Sequence, residues 1–355
     1  MSRFLHDKYG SLRPYTPGEQ PAGAGLIKLN TNENPFPPSP KVIEVIRSAE
    51  ADKLHLYPDP EAKTLIKAVS SYYDIPENRI MAGNGSDELL AFSFMAFAKN
   101  DKVIFPDISY GFYEVYAQVF GVKAKKAPLT EDLDVKIEDY FDADSLVVLA
   151  NPNAQTGTVA GPDKIEEVLK SNEENLVLID EAYVDFGAES CLPLIKKYDN
   201  LLVIQTFSKA RNLAGGRVGM AFANEKIIED LNKIKYSFNP YNLNRLSILA
   251  ATAAIEDNEY FEACIREIKK IRKEFVLEME KLRFYIVPSM ANFVLARHEL
   301  ISGEAFYKAL RERNILVRHF QDERIKDYVR ITIGNREEME ALVFAAKKIL
   351  SKEGL

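Results

Sequence analysis

Lys209 is the residue whose type and place in the chain best suit covalent chemistry. It follows an apolar run over residues 201–204, which predicts a buried strand. A side chain directly after such a strand lies at the carboxyl edge of a sheet, where α/β proteins bind their ligands. A lysine amine that is removed from water there loses its proton readily and can attack a carbonyl carbon, which forms a Schiff base.

The residues around Lys209 are suited to binding a phosphate. Thr206 and Ser208 offer hydroxyl groups, and Arg217 offers a planar guanidinium that matches phosphate geometry. A Schiff-base lysine flanked by phosphate-binding groups indicates pyridoxal phosphate as the cofactor. An isolated Ser-Lys pair before a glycine loop is far more often an ordinary surface loop, so this interpretation depends on the other motifs.

Two further strand ends place polar groups at the same edge. Residues 176–179 predict a buried strand that Asp180 follows directly. A carboxylate there is costly unless a positive group pairs with it, and a protonated pyridine nitrogen is such a group. Residues 146–150 predict another buried strand, which ends in an amide-rich turn over residues 151–157. The three strand ends therefore supply an amide, a carboxylate and a lysine.

Two other segments are suited to a flat, phosphorylated ring. Gly85 and Ser86 begin a predicted helix, where free backbone N–H groups bind anions. The same residues are equally consistent with an ordinary capped helix. Tyr110 follows the strand predicted over residues 103–106 and can stack on a ring, although an aromatic residue in that position is equally consistent with the core.

The alternation of apolar runs and helical patterns predicts a parallel sheet with right-handed crossovers. We expect an N-terminal arm and part of a small domain in residues 1–45, a large cofactor-binding domain in residues 46–250 and a small C-terminal domain in residues 251–355. The remaining predicted elements are helices over residues 40–49, 62–73, 162–170, 258–283 and 336–349, and strands of a separate sheet over residues 292–295, 315–318 and 328–334.

Composition limits the class of protein. The 355 residues suffice for one large domain and a smaller one, and the net charge of −7 does not favour a general nucleic-acid surface. The two cysteines and four histidines do not favour a metal centre. No stretch is apolar enough to suggest a signal peptide or a membrane span, so we expect a cytoplasmic protein with reduced thiols.

Together these segments resemble the fold-type I pyridoxal-phosphate aminotransferases and, within that family, the histidinol-phosphate aminotransferases. The resemblance covers nearly the whole chain. It implies an α/β fold in which a large, mainly parallel sheet lies between helices and a smaller α+β domain follows. The segments that resemble the family are residues 29–37, 57–59, 85–88, 180–183, 206–217 and 330–334.

The resemblance implies a role for each site residue. Lys209 would hold pyridoxal 5′-phosphate as a Schiff base and move a proton between Cα and C4′. Asp180 would pair with the pyridinium nitrogen, and Tyr183 would donate a hydrogen bond to the phenolic oxygen of the ring. The other implied cofactor contacts are Tyr110, which stacks on the ring, and Ser86, Asp87, Thr206, Ser208 and Arg217, which hold the phosphate.

The chain departs from the family pattern in the loop over residues 210–212, where an aromatic and a small residue are common, at Gly216, where a leucine is common, and in one turn. The family has Asn-Pro-Asn-Asn-Pro-Thr-Gly where this chain has Asn-Pro-Asn-Ala-Gln-Thr-Gly at residues 151–157. The asparagine usually assigned to the phenolic oxygen therefore falls on Ala154. Either Asn153 takes its place or Tyr183 acts alone.

The implied substrate contacts indicate a shared site. Arg330 would bind the anionic end of the substrate, and Arg318 could add a second donor, although a plain surface position is equally consistent with its local pattern. Tyr15 and Tyr57 resemble tyrosines that reach the substrate, and Tyr57 would do so from the neighbouring subunit of a homodimer. The proline-rich arm around Tyr15 cannot form a core alone, which agrees with an obligate dimer.

The implied activity is transfer of the amino group between L-histidinol phosphate and 2-oxoglutarate in histidine biosynthesis. An aromatic amino-acid aminotransferase is the nearest alternative. A pyridoxal-phosphate-dependent decarboxylase of a phosphorylated amino acid would use the same Lys209 and Asp180. A non-catalytic cofactor sensor would need an attached DNA-binding segment, for which we expect neither room nor charge before Arg13.

Overall fold

The computed structural model describes residues 2–20, 25–49 and 51–352. The expected domains also include residues 1, 21–24, 50 and 353–355, which lie outside the described residues. In chain order the strands are β1 (Ile27–Lys28), β2 (Ile80–Gly83), β3 (Lys102–Pro106), β4 (Lys123–Ala127), β5 (Leu146–Ala150), β6 (Val177–Asp180), β7 (Leu201–Thr206), β8 (Gly219–Phe222), β9 (Phe284–Ile286), β10 (Phe293–His298), β11 (Ile315–Leu316), β12 (Arg318–His319) and β13 (Val329–Thr332).

Several α-helices begin at residues that suit a helix N-terminus. Ser39 accepts a hydrogen bond from the backbone N–H of Val42, and Pro40 occupies the first helical turn. Asn224 caps its helix in the same way. The α-helices are α1 (Pro40–Arg47), α2 (Lys63–Tyr73), α3 (Gly85–Phe97), α4 (Phe112–Phe120), α5 (Pro162–Ser171), α6 (Glu225–Phe238), α7 (Arg245–Glu256), α8 (Asn258–Lys281), α9 (Gly303–Arg311) and α10 (Arg336–Lys352).

The large sheet has the strand order β2-β8-β7-β6-β5-β3-β4. The pairs from β7 to β4 are all parallel, whereas β8 runs antiparallel to both β2 and β7. Every residue of β5, β6 and β7 is buried, because helices cover both faces of the sheet. These three neighbouring strands are parallel, so their carboxyl ends meet at one edge.

A second, smaller sheet lies in the C-terminal part of the chain. Its four strands are antiparallel and have the order β12-β13-β10-β9. β1 pairs in parallel with β11, which attaches the N-terminal segment to this part of the chain. α8 buries an apolar stripe that includes Phe261, Ile268 and Phe275, and α10 packs against it.

The predicted α/β class, with a large, mainly parallel sheet and a smaller α+β unit, is confirmed. The two sheets lie within residues 80–222 and 284–332, and the expected domain boundaries at 45 and 250 stay a prediction. The sequence pattern did not predict β1, β4, β8 or β9.

Candidate active site

The carboxyl ends of the central strands open into one cavity. Asp180 is the last residue of β6, and Thr206 is the last residue of β7. Lys209 follows three residues later in a short turn. Because β6 and β7 are parallel neighbours, these polar groups lie at a single edge of the sheet. The cavity is lined by Ser86, Asp87, Tyr110, Ala150, Ala154, Asp180, Ala182, Tyr183, Thr206, Ser208, Lys209 and Arg217.

The amine of Lys209 is held inside this cavity. Its Nζ donates a hydrogen bond to the backbone oxygen of Thr31 at 3.1 Å. Asn34 Nδ2 donates to the backbone oxygen of Lys209 at 3.0 Å, which fixes the turn. Burial, and next the positive charge of Arg330, lower the pKa of Lys209 to about 8. About a tenth of the amine is therefore uncharged at pH 7, far more than for an exposed lysine, and the uncharged form is the nucleophile.

Asp180 is buried and hydrogen-bonded. Tyr113 donates its hydroxyl to Oδ2 at 2.8 Å, and the backbone N–H of Ala182 donates to Oδ1 at 3.2 Å. Burial raises the pKa of Asp180 to about 6, while these two donors act in the opposite direction. The carboxylate is thus poised to gain from a positive partner.

A cationic group lies at another wall of the cavity. Arg217 has a positive φ of 51°, a rare conformation for a residue with a side chain. Its Nη1 donates to Ser208 Oγ at 3.4 Å, and its Nη2 contacts a carboxylate oxygen of Asp87 at 2.9 Å. A Cβ on Gly85 would come within 2.5 Å of Arg217 Nη2, so only glycine permits this approach at the start of α3.

Tyr110 and Tyr183 provide aromatic walls. The hydroxyl of Tyr110 donates to Asp87 at 2.6 Å. Asn32 Nδ2 donates to the hydroxyl oxygen of Tyr183 at 3.0 Å, and Thr332 Oγ1 donates to Asn32 Oδ1 at 3.1 Å. Burial raises the pKa of Tyr183, so its hydroxyl keeps its proton at neutral pH. Since Asn32 already donates to this oxygen, the tyrosine proton is free to be donated elsewhere.

Asn153 lies behind the cavity wall rather than in it. Its amide nitrogen donates to the backbone oxygen of Ile108 at 2.9 Å and to Thr156 Oγ1 at 3.1 Å. Its Oδ1 is buried without a hydrogen-bond partner. Ala154, the next residue, lines the cavity instead. The expected contact of Asn153 with a cofactor stays a prediction.

Arg330 extends from β13 towards the turn after β5. Its Nη1 donates to Gln155 Oε1 at 2.9 Å, and its Nη2 donates to the backbone oxygen of Asn30 at 3.2 Å. Its Nε is buried without a partner. Arg318 Nη2 donates to the backbone oxygen of Thr16 at 3.3 Å.

The two tyrosines expected to reach the substrate differ in position. Tyr15 lies over Tyr110, with ring centroids 6.3 Å apart, and it stacks on Phe112 at 4.4 Å. Tyr57 does not line the cavity of its own chain. Its side chain is 77% exposed and stacks on Tyr241 at 4.4 Å.

Three contacts were missed by reasoning from the sequence. Tyr113 lies in the aromatic segment after β3. Nothing in the local sequence indicates that its hydroxyl donates a hydrogen bond to Asp180. Asn32 belongs to the amide-rich segment whose composition does suggest a hydrogen-bonded lining. Gln155 is recognisable only as a departure from the family pattern.

Among the described residues, no group of three or more histidine, cysteine, aspartate or glutamate side chains is arranged to hold a metal ion. Within the same ranges, none of the helices combines the length and apolarity needed to cross a membrane.

Comparison with known proteins agrees with this geometry. The family described as aminotransferase class I and II matches residues 24–345. Histidinol-phosphate aminotransferase from Brachyspira hyodysenteriae is 47% identical over 352 residues, which cover 99% of each chain. The crystal structure of the histidinol-phosphate aminotransferase from Clostridium acetobutylicum superposes with a TM-score of 0.85 at 30% identity, over 92% of this chain and 100% of that chain.

A second solved structure shares the fold. Histidinol-phosphate aminotransferase from Sinorhizobium meliloti, solved in complex with pyridoxal 5′-phosphate, has a TM-score of 0.83 at 24% identity, over 92% of this chain and 91% of that chain. The class I and II aminotransferases depend on pyridoxal phosphate. From the match over most of its length and the identity to its relatives, this chain belongs to the class I and II aminotransferase family, in the branch of the histidinol-phosphate aminotransferases.

Proposed function

We propose that the cavity at the carboxyl ends of β6 and β7 binds pyridoxal 5′-phosphate. The donor set fits this group, because the cavity has a cation, a carboxylate and a buried amine on separate elements. When bound, the cofactor supplies an electron sink for the negative charge that forms at the substrate's Cα. The residues proposed to hold its phosphate are Ser86, Asp87, Thr206, Ser208 and Arg217, with Tyr110 against the ring.

Lys209 acts as the covalent anchor and as the proton carrier. Its lowered pKa, about 8, allows the amine to accept a proton from the substrate's Cα and to return it within one turnover near neutral pH. The hydrogen bond to the Thr31 oxygen directs one N–H away from the cavity and so orients the amine.

Asp180 and Tyr183 keep the cofactor in the reactive state. Asp180 holds a proton on the ring nitrogen, because a buried carboxylate gains most from a positive partner. Tyr183 donates its hydroxyl to the phenolic oxygen, since Asn32 occupies one acceptor position on that hydroxyl. Asn153 is the alternative donor to the same oxygen, and in that role its amide nitrogen would have to leave the backbone oxygen of Ile108 and Thr156 Oγ1.

The reaction moves the amino group of L-histidinol phosphate to 2-oxoglutarate, giving imidazole acetol phosphate and L-glutamate. One guanidinium must then bind a phosphate in one half-reaction and a carboxylate in the other. The observation that supports this assignment is the half-buried Arg330, whose guanidinium has only neutral oxygens as partners and whose buried Nε has none. Arginine binds both anions in a bidentate manner. Tyr15 and Arg318 are proposed as further contacts to the anion.

The assignment is tested by kcat/KM for histidinol phosphate, histidinol and phenylalanine, each with 2-oxoglutarate. We expect histidinol phosphate to be preferred. Arg330→Ala should lower kcat/KM about ten- to a hundredfold in both half-reactions, because a charge-assisted hydrogen bond is lost. Arg318→Ala should affect the phosphorylated substrate more than glutamate. If phenylalanine or histidinol equals histidinol phosphate in the wild type, the chain is a general aromatic aminotransferase.

The decarboxylase alternative is tested by the products. A decarboxylase would release carbon dioxide from a phosphorylated amino acid without a keto acid. We expect product only when 2-oxoglutarate is present.

We also propose a homodimer in which Tyr57 completes the neighbouring site. Tyr57 is exposed on its own chain, and Phe238, only three residues from its stacking partner Tyr241, is 69% exposed. Large exposed aromatic side chains of this kind are typical of protein interfaces. A cytoplasmic location is proposed as well, supported by the free thiols of Cys191 and Cys264.

A further inference from the structure

Gln155 links the turn after β5 to the guanidinium of Arg330. Its Oε1 accepts a hydrogen bond from Arg330 Nη1 at 2.9 Å. Its Nε2 donates to the backbone oxygen of Ser109 at 3.0 Å. Because both ends of the amide are engaged, the amide has a single orientation, in which its oxygen faces the arginine.

The surroundings of Arg330 hold a positive charge without neutralising it. Within the described ranges, no carboxylate forms an ion pair with Arg330, and its oxygen partners are the Gln155 amide and the backbone of Ala154 and Asn30. The ring of Phe293 lies 5.2 Å from the centre of the guanidinium. Nε is buried and has no partner. A half-buried guanidinium that lacks a carboxylate partner and has a free donor is suited to bind an anion.

We infer that Gln155 is the positioning residue for the anion-binding guanidinium of Arg330, and that its neutral amide leaves the full charge of Arg330 to the substrate. The inference rests on the proposed role of Arg330 in binding the substrate's anion. An apolar side chain at position 155 would leave Nη1 short of its best acceptor. A carboxylate there would pair with Arg330 and compete with the phosphate or carboxylate of the substrate.

A fixed, neutral acceptor orients the guanidinium but contributes no charge that would favour one anion over the other. The same arginine can therefore bind a phosphate and then a carboxylate. Gln155 itself takes no part in the chemistry at Cα.

The inference is tested by equilibrium binding of succinate to the cofactor-loaded enzyme, measured by calorimetry. Succinate is a dicarboxylate that cannot react. Gln155→Met keeps the length of the side chain but removes the acceptor, and should weaken succinate binding about tenfold. Gln155→Glu keeps an acceptor but adds a charge, and should weaken binding at least as much. Both variants should raise KM for glutamate more than they lower kcat.

Gln118→Glu is the matched control. Gln118 lies on α4, where its Oε1 accepts from the backbone N–H of Arg13, so the change alters net charge equally outside the site. Succinate binding should stay within about twofold of the wild type. Cofactor content and melting temperature of each variant show whether it is folded.

Two outcomes would overturn the inference. If both Gln155 variants bind succinate as tightly as the wild type, Gln155 does not position Arg330. If Gln155→Glu alone retains wild-type binding, the acceptor oxygen at position 155 positions Arg330, but its neutrality has no effect and that half of the inference fails. The proposed role of Arg330 is tested separately, because Arg330→Ala should weaken succinate binding whichever residue occupies position 155. Failure of the wild type to use histidinol phosphate would refute the substrate and leave the succinate result intact.

Discussion

Tyr113 donates its hydroxyl to Asp180 Oδ2 across 2.8 Å, in an interior where both side chains are shielded from solvent. The bond stabilises the ionised carboxylate and so opposes the effect of burial, which raises the pKa of Asp180 to about 6. The hydroxyl itself stays protonated, because burial raises the pKa of Tyr113 well above its usual value. Tyr113 therefore keeps Asp180 ready to pair with a positive ring nitrogen.

Replacement of Tyr113 by phenylalanine should raise the pKa of Asp180 further. The lost bond favours the charged form by roughly 1.5–3 kcal/mol, which corresponds to about one to two pKa units. The carboxyl group would then be largely protonated at neutral pH in the cofactor-free protein. We expect the affinity for pyridoxal phosphate to fall at pH 7 and to recover as the pH rises. Equilibrium binding of the cofactor between pH 6 and about 9 measures this shift.

Tyr140→Phe is the control for this prediction. Tyr140 is also buried, but it packs in the apolar cluster on the other face of the large sheet. This variant should leave the pH dependence of cofactor binding unchanged. Identical profiles for Tyr113→Phe and the wild type would show that the hydroxyl does not influence Asp180.

The lowered pKa of Lys209 predicts how fast the cofactor-free enzyme attaches its cofactor. Only the uncharged amine attacks a carbonyl, so the rate should rise about tenfold per pH unit below the pKa and level off above it. The midpoint should lie near the pKa of about 8. Stopped-flow absorbance after mixing the cofactor-free protein with pyridoxal phosphate measures the rate.

Arg330→Met tests the cause of this midpoint. The positive charge of Arg330 disfavours a second charge on Lys209, so its removal should move the midpoint to higher pH. A wild-type midpoint near that of an exposed lysine, about 10, would contradict the burial of the amine.

The hydrogen-bonded chain from Thr332 through Asn32 to Tyr183 predicts a ranking of variants. If Tyr183 alone donates to the phenolic oxygen, Tyr183→Phe should shift the pH titration of the cofactor's visible absorbance to higher pH and slow turnover. Asn32→Ala should have a smaller effect in the same direction, because it loosens the tyrosine and removes a bond of about 0.5–1.5 kcal/mol. Asn153→Ala should have the smallest effect.

The reverse ranking would have a definite meaning. A larger effect of Asn153→Ala than of Tyr183→Phe would show that Asn153 replaces the asparagine that the family has at Ala154. Its buried Oδ1 without a partner would then belong to a rearranged amide in the loaded enzyme.

The strand ends that carry the proposed catalytic and cofactor-binding residues could be predicted from the sequence, because buried parallel strands are nearly continuous apolar runs. Asp180 and Thr206 end such runs, and Lys209 follows closely, so their meeting at one edge follows from topology. β4 was missed because four of its five residues are exposed, and its lysine-rich sequence has no apolar alternation. β8 was missed because it has only four residues and directly follows a glycine-rich loop. Such a short segment does not indicate an antiparallel strand between β2 and β7.

Contacts between distant segments could not be predicted in the same way. Asn32 and Tyr183 are 151 positions apart, and the partners Gln155 and Arg330 are 175 positions apart. Local patterns contain no information about which polar groups meet at such separations. Arg211 is a similar case, since a buried arginine whose guanidinium lies 3.7 Å from the ring centre of Phe261 depends on packing between helices.

Tyr57 lies on a turn outside the cavity of its own chain. The turn that contains Tyr57 is held by its own chain, because Arg245 Nη2 donates to the backbone oxygen of Tyr57 at 3.3 Å and Lys235 donates to that of Pro60. The Tyr57 side chain is nevertheless exposed and lies outside the cavity that contains Lys209. If it serves a site, that site belongs to another subunit.

Mixing two inactive variants should therefore restore activity. Lys209→Ala lacks the amine, and Tyr57→Ala lacks the side chain donated to the partner. In a hybrid dimer one site has both defects and the other has none, so random exchange of subunits should make about a quarter of all sites intact. The assay is transamination after the variants are unfolded and refolded together. A mixture of Lys209→Ala with Asp180→Ala is the control and should stay inactive, because both residues serve their own chain's cavity.

If the mixture of Lys209→Ala with Tyr57→Ala also stays inactive although hybrids form, Tyr57 does not complete the neighbouring site. A fully active monomer in sedimentation would equally exclude the shared site.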